Sequence, residues 1–550
     1  MRRFKTLLSL SVVGLGLALF CPHVAAQTSS SPENPRSTGG FRIAGKVVNG
    51  LTDAPLARAR VTVVDTKNQE KTLSTITAEG GSFEFLALPA GKYALNGARR
   101  GFISAAYDEH ERFSTAIVTG AGLDTEHLVL RLAPAAALGG TVLDEFGEPV
   151  RHATVSLYRQ DREEGVKHIY KVRTDITDDQ GSYEFSPLQM GIYFVSATAT
   201  PWYAVHRVSF SPDQAGTKPA ADRSLDVAYP EVYYKDVTEP GAALPISLRG
   251  GEHLEADLHL NPVPALHLTW ASPEQFVSPP AIERPAFGET DSVPVSWERV
   301  SPGLFESGGV PPGTYAVRIP ATSPEGPTVD FNLDLREDGQ EIDASKGEPE
   351  SSLKASVRMV GGEKPPPELA LGLRDIKLKS VIFDKVDSKG EVKFAVAPGR
   401  YQIVVAGPRR AYSVVGSSSE GAETAGDRIK VPVGRSLAVS LLVAGSTATV
   451  EGFAERNGQP VAGAMVLLVP KDAESNRTLF RRDQSDLDGS FSLLNVMPGS
   501  YSIIAIANGW DLDWASPAVI RAYARHATTI TVRDSQGPIH LPKTVEVETR

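Results

Sequence analysis

One thirteen-residue pattern recurs along the chain and limits the folds open to it. It reads GSFEFLALPAGKY at 81–93, GSYEFSPLQMGIY at 181–193 and GSFSLLNVMPGSY at 489–501. Alternating Phe83 and Phe85 predict a strand with one buried face. Pro89 and Gly91 predict a tight turn, and Tyr93 opens the returning strand. Two worn copies surround Tyr315 (Phe305, Val310, Pro311, Gly313) and Tyr401 (Val392, Phe394, Pro398, Gly399), the second one residue shorter before the turn. Five copies of one hairpin, about 100 residues apart, predict five small domains rather than one large one.

The opening of each unit repeats as well. Gly45, Val47, Pro55, Ala59, Val61 and Val63 in the first unit correspond to Gly140, Val142, Pro149, Ala153, Val155 and Leu157 in the second. Gly452, Pro460, Ala464, Val466 and Leu468 do so in the fifth. Period-two alternation after the proline marks a half-buried strand. Each unit is expected to end on a further alternating strand: Leu128 to Leu132, Leu254 to Leu260, Val329 to Leu335, Leu437 to Val443 and Thr528 to Val532. The expected fold is therefore all-β, a tandem array of about five antiparallel β-sandwich domains at 41–134, 135–264, 265–345, 346–446 and 447–550. The heads of the third and fourth units are degraded, and 415–427 reads as a long exposed loop. One short helix is expected near the C-terminus, at 516–525, with Ser516 as N-cap and Pro517 in its first turn.

Residues 1–26 read as a signal peptide: Arg2, Arg3 and Lys5, an apolar run from Thr6 to Phe20, then small residues before a cleavage point near Ala26. Residues 27–40 are a Ser-, Pro- and Gly-rich flexible leader. Cys21 is the sole cysteine and lies in the signal, so the mature chain offers no disulfide, thiolate nucleophile or cysteine metal site. Secretion without disulfides suggests a bacterial envelope: the periplasm, cell surface or surroundings of a Gram-negative cell. Removing the signal takes the formal charge from −10 to about −13, which argues against nucleic acid and anionic membranes as partners.

The head G-x-V…P-x-x-x-A-x-V joined to the tail G-x-[FY]-x-F-x-x-L-P-x-G-x-Y resembles the carboxypeptidase regulatory-like domain. The match is good over units one, two and five and partial over three and four. The resemblance implies a prealbumin-like (transthyretin-like), Ig-like sandwich of the carbohydrate-binding-like fold group. Tyr229-Pro-Glu-Val-Tyr233-Tyr234 and Gly509-Trp510-Asp-Leu-Asp-Trp514 resemble segments of multi-repeat secreted bacterial proteins of this family, of acidobacterial type. Such folds host many roles, so the resemblance specifies architecture better than function.

Catalytic signals are weak. A zinc carboxypeptidase needs a His-x-x-Glu pair, and no histidine here is followed three residues later by Glu. His253, Glu255, Asp257 and His259 alternate on one strand, but six residues of strand separate the histidines by roughly 20 Å, against about 2 Å from ligand to zinc. A solvated polar face is the plainer reading, and no metal or other cofactor is expected. Asp483 to Gly489 resembles part of a calcium loop without its final bidentate acid, and Asp and Gly also suit a hairpin turn. The resemblance also raises a lysine–asparagine isopeptide crosslink, for which Lys46 lies on a first strand, yet Thr141 and Phe453 replace it in units two and five. No nucleophile-elbow pattern surrounds any serine.

Aromatic residues outside the signature are the candidate binding residues: Trp202, Tyr203, Tyr229, Tyr233, Tyr234, Trp510 and Trp514. Such rings stack on sugars, and equally they cap the open ends of sandwiches. The expectation is a secreted, non-catalytic binding or scaffold protein of the envelope whose partner, chiefly as the resemblance to the carbohydrate-binding-like fold implies, is a polysaccharide. The alternative is an adhesive or structural spacer that holds an envelope protein by exposed sheet edges. A hydrolase with an unrecognised site is a third class.

Overall fold

A computed structural model describes residues 40–550 except 121, 164, 207–222, 272–277, 320–328, 344–349, 377–380, 447 and 535–536. The expected signal peptide and all but the last residue of the leader lie outside the described residues.

In the first unit, the opening strand Phe41–Asn49 sits between the signature strand Ser82–Leu88, antiparallel to it, and the closing strand Leu128–Leu132, parallel to it. The second sheet places Arg60–Asp65 between Thr72–Ile76 and the returning strand Gly91–Ala98. Alternation puts Phe83, Phe85, Val61, Val63 and Leu130 into one core between the two sheets. The second unit repeats the plan: Ala136–Leu143 lies between Ser182–Leu188 and the parallel His253–Glu255, opposite a sheet built on Thr154–Glu163 and Gly191–Thr198. The remaining units follow it, with the two sheets of the fifth joined through Val545–Glu548, and each has its own buried cluster. Among the described residues the chain is all-β, with one α-helix at Pro517–Tyr523; its N-cap Ser516 accepts a hydrogen bond from the Val519 amide.

The signature tyrosine does the same thing in every unit. The hydroxyls of Tyr93, Tyr193, Tyr315, Tyr401 and Tyr501 donate to the carbonyl four residues upstream, at 3.0, 2.8, 2.7, 2.8 and 2.9 Å. Each ring is buried in the core while its polar tip ties down the turn that carries the signature glycine, so the hydroxyl is satisfied locally. A second repeated device is a buried hydroxyl at the start of the second sheet. Thr77 accepts from the Ala59 amide and donates to Leu56. Thr177 does so between Ala153 and Val150, and Ser485 between Ala464 and Val461. The signature glycine is required by its backbone: Gly181 has φ +70° and a Cβ there would stand 2.6 Å from the Val142 carbonyl oxygen.

Three expectations need correction. Val329–Leu335 is not the closing strand of the third unit: it pairs antiparallel with Gly313–Ile319, and the parallel closing strand is Gln340–Ile342. Likewise Thr528–Val532 pairs antiparallel with Gly499–Ile506, and Ile539–His540 and Val545–Glu548 close the fifth unit. These closing strands are too short for alternation to show. The expected loop at 415–427 is largely strand, since Tyr412–Glu420 pairs with Ser436–Gly445 and Glu423–Ala425 with Arg428–Val431. Backbone hydrogen bonds hold a Ser-rich edge that apolar periodicity cannot reveal.

Candidate functional site: the cleft among the first, second and fifth sandwiches

The first and fifth sandwiches lie against each other, although nearly the whole chain separates them. Lys92, inside the first signature, reaches Asp486 (2.6 Å) and Ser490 (2.6 Å) in the turn of the last one. The other Asp486 oxygen accepts the Ala116 amide at 2.9 Å, and the Leu487 amide donates to the Ala116 carbonyl at 3.0 Å. Gln484 donates to Thr115 at 2.8 Å. Arg482 binds both oxygens of Glu111, at 3.0 and 2.6 Å. The calcium-like sequence at 483–489 is thus a hairpin turn whose carboxylate holds another domain. Among the described residues no three His, Cys, Asp or Glu side chains gather as a metal-binding group, and His253 to His259 is broken into two short strands.

An aromatic box surrounds the Arg482–Glu111 pair. The Arg482 guanidinium lies 4.4 Å from the Trp514 ring, 5.3 Å from Phe113 and 5.8 Å from Trp510. Trp510 stacks on His110 at 5.2 Å and an interplanar angle of 10°, and its Nε1 donates to the Gly463 carbonyl at 3.1 Å. These tryptophans are here for a reason legible in the fifth sandwich. Met465–Pro470 (MVLLVP) is buried on both faces, so its outer face needs a cover. Trp510, Trp514 and the helix side chain Ile520 supply it.

The second sandwich completes the enclosure. Arg162 pairs with Asp513 at 3.0 Å, and Gly165 (φ +71°) lies so close to Trp514 that a Cβ would stand 2.9 Å from the indole. Between the three sandwiches opens a cleft of about 1340 Å³. Its walls include exposed Met190 and Leu494 and a concentration of arginines from all three domains. Arg481 has its Nε and Nη1 committed to the carbonyls of Asn495, Thr478 and Phe480. Burial holds its guanidinium below the usual arginine range, and the nearby Arg112 charge adds to that. Burial also raises the Asp483 carboxyl from 3.8 to about 6, opposed by the Ser492 amide that donates to it.

The sequence-predicted residues fall into different places. Trp510 and Trp514 line the cleft, but they are 8% and 5% exposed, with faces taken by His110, Phe480 and Arg482. Tyr233 is fully buried at the joint between the second and third sandwiches, against Tyr158 and Phe287, with its hydroxyl donating to Glu231. Glu231 also accepts from Ser196 and pairs with Arg284 at 2.7 Å. Tyr229 is buried in the second core and donates to Glu145 at 2.8 Å, and Tyr203 donates to the same carboxylate. Burial alone would raise the Glu145 carboxyl, but these hydrogen bonds bring it below the usual range. Buried rings with occupied faces offer no open platform, which corrects the expectation for Tyr229, Tyr233, Trp510 and Trp514. Tyr234 is half-buried, beneath the Lys235 ammonium at 4.6 Å. Trp202, at 86%, is the one of the seven that stands open.

Residues 42–124 match the family model of the carboxypeptidase regulatory-like domain. The first sandwich is a carboxypeptidase regulatory-like domain. The second and fifth share its opening, signature and closing strands in the same sheet order. No curated protein sequence matches the chain. Among solved structures, the Bacillus anthracis TIE protein is 14% identical, covering 76% of each chain, with a TM-score of 0.18. GBS52, the minor pilin of Streptococcus agalactiae, is 12% identical over 41% of this chain and 97% of its own, with a TM-score of 0.21. BcpA, the major pilin subunit of Bacillus cereus, is 9% identical over 74% and 100%, with a TM-score of 0.15. At these TM-scores the likeness carries no argument about this chain.

Sequence reasoning missed Lys92, Glu111, Arg481 and Arg482, and it placed Asp486 only in a calcium-like or turn sequence. One signal was available for Lys92, which stands where the other copies have Ile192 and Ser500.

Proposed function

We propose that this chain is a secreted, non-catalytic binding protein of the bacterial envelope and that its ligand, a polysaccharide, lies in the cleft among the first, second and fifth sandwiches. The observation that carries this reading is the contact between the first and last sandwiches. It turns a string of modules into a walled cleft with room for a few sugar rings. Concave sites at domain junctions are common binding places, and this one presents Met190 and Leu494 as apolar surface beside a dense set of fixed donors.

The test is retention of the mature protein on a panel of immobilised polysaccharides. Met190→Trp and Leu494→Trp, both at exposed positions, narrow the cleft without touching a core and are expected to abolish retention with melting unchanged. Trp202→Ala is the contrasting arm: loss of retention there, with the cleft variants unaffected, moves the site to the open Trp202 ring. Retention on no glycan sinks the reading.

A specific observation favours the second reading, attachment to a protein by sheet edges. The edge strand Thr72–Ile76 leaves Leu73 and Ile76 exposed, and the edge strand Val381–Lys385 leaves Ile382 and Phe383 exposed. Apolar edges are templates for strand addition. Capture of an envelope protein that Ile382→Lys with Phe383→Lys abolishes would support it.

A further inference from the structure

The charge on the cleft walls is not balanced. Its carboxylates are largely engaged: Glu111 holds Arg482, Asp511 holds Arg550, and Asp161 accepts the Arg162 amide. Other guanidinium groups are matched less fully among the described residues. Arg481 bonds only backbone carbonyls among the described residues, which leaves its Nη2 uncommitted. Arg112 lies over the Phe113 ring at 5.2 Å and forms no ion pair among the described residues. Arg159 gives its Nη1 to Gln189 at 2.8 Å and pairs only at 3.7 Å with Asp161, and its buried Nε, like that of Arg477, has no hydrogen-bond partner among the described residues. Both Arg112 and Arg481 line the cleft, and burial, with the Arg112 charge adding to it, holds the Arg481 guanidinium below the usual arginine range. Like charges brought together at a domain boundary cost stability unless an anion joins them.

Resting on the reading of the cleft as a polysaccharide site, we propose that its ligand is an acidic polysaccharide, whose uronate carboxylates are received by Arg112 and Arg481 on one wall and Arg159 on the other. A planar guanidinium matches a carboxylate with paired donors, so a carboxylate fits these groups better than a hydroxyl does. The chain as a whole carries a formal charge of −10, and its surface repels polyanions. Retention of an acidic polymer would therefore report this local cluster.

The experiment compares binding of the mature protein to polygalacturonate, to the same polymer fully methyl-esterified, and to dextran sulfate, by calorimetry at 50 and 300 mM salt. Polygalacturonate is expected to bind, to weaken with salt, and to lose about tenfold in affinity in each of Arg112→Gln and Arg159→Gln, since each removes a charge-assisted hydrogen bond. Arg112→Lys is expected to recover part of the loss, and all variants to melt as the parent does. Equal binding of the methyl ester, still blocked by Leu494→Trp, overturns the acidic assignment and leaves the polysaccharide reading standing. Binding of dextran sulfate alone overturns the uronate assignment in favour of sulfate. Polygalacturonate binding that neither arginine variant changes places the acid elsewhere and overturns the proposal. No binding to any polymer overturns both readings.

Discussion

Replacing Arg482 by Ala should open the joint between the first and fifth sandwiches without unfolding either. The side chain is 9% exposed, gives two hydrogen bonds to Glu111, and lies 4.4 Å from the Trp514 ring. Removing one partner of a buried pair strands the other, which costs roughly 3–5 kcal/mol when both are buried. Glu111 is 29% exposed and can regain some water, so about 3 kcal/mol is expected, part of it the lost cation–π contact. That shifts the open-to-closed ratio by somewhat more than about a hundredfold. Hydrogen exchange reads this directly. The Ala116 and Leu487 amides bond only across the joint, to Asp486 and Ala116, and should exchange about a hundredfold faster. The Gly452 and Phe491 amides, inside a sheet of the fifth sandwich, should keep their rates. Parental rates at Ala116 and Leu487 would refute the argument that this pair closes the joint. Equal acceleration in the sheet would mean that the fifth sandwich had unfolded instead, and Lys92→Gln at the opposite end of the joint separates the two cases.

Three further outcomes follow from the same geometry. Asp483 keeps its proton in the folded protein up to about pH 6 but loses it near 3.8 when unfolded, so its contribution lowers stability as pH rises from 4 to 6 and the penalty is full above 6. Asp483→Asn should therefore stabilise the fifth sandwich by about 3 kcal/mol at pH 7.5 and by nothing near pH 3.5, as measured by denaturant titration at both pH values. Thr177→Val leaves the Ala153 amide and the Val150 carbonyl buried and unpaired, at a cost of about 1–3 kcal/mol, visible as a lower melting transition for the second sandwich alone. Gly181→Ala places a side chain at φ +70° and 2.6 Å from the Val142 carbonyl oxygen, and should lower the same transition by at least about 2 kcal/mol.

The sandwiches were legible because each is built from local alternation. Phe83 and Phe85, Tyr183 and Phe185, and Phe491 and Leu493 face the core as period two requires. The N-cap at Ser516 and the turn glycines were legible for the same reason: their constraints act within a few residues. The closing strands of the third and fifth units were not, because two or three paired residues show no period. The roles of Trp510 and Tyr233 were hidden for another reason. An aromatic on a loop reads alike whether its face meets solvent, a sheet or a neighbouring domain, and only the partner decides. For Trp510 the partner is His110, about 400 residues upstream in sequence.

That distance shows where specificity resides in this chain. A repeat copies its own core, so the residues that agree between copies are spent on folding: the signature tyrosine, the buried Thr or Ser, the turn glycine. The residues that join one copy to another must differ between copies, or every copy would bind every other. Lys92 has Ile192 and Ser500 as its counterparts, whereas Asp486 differs from Ala78 and is shared with Asp178, so the lysine carries most of the difference. The odd lysine of the first signature meets an aspartate of the last, and the mismatch makes the contact directional. An exchanged pair, Lys92→Asp with Asp486→Lys, should therefore keep the joint closed, while either change alone sets like charges against each other across it and opens it. If the exchanged protein is as open as the single variants, by the Ala116 and Leu487 amides, directionality comes from shape and not from this charge pair.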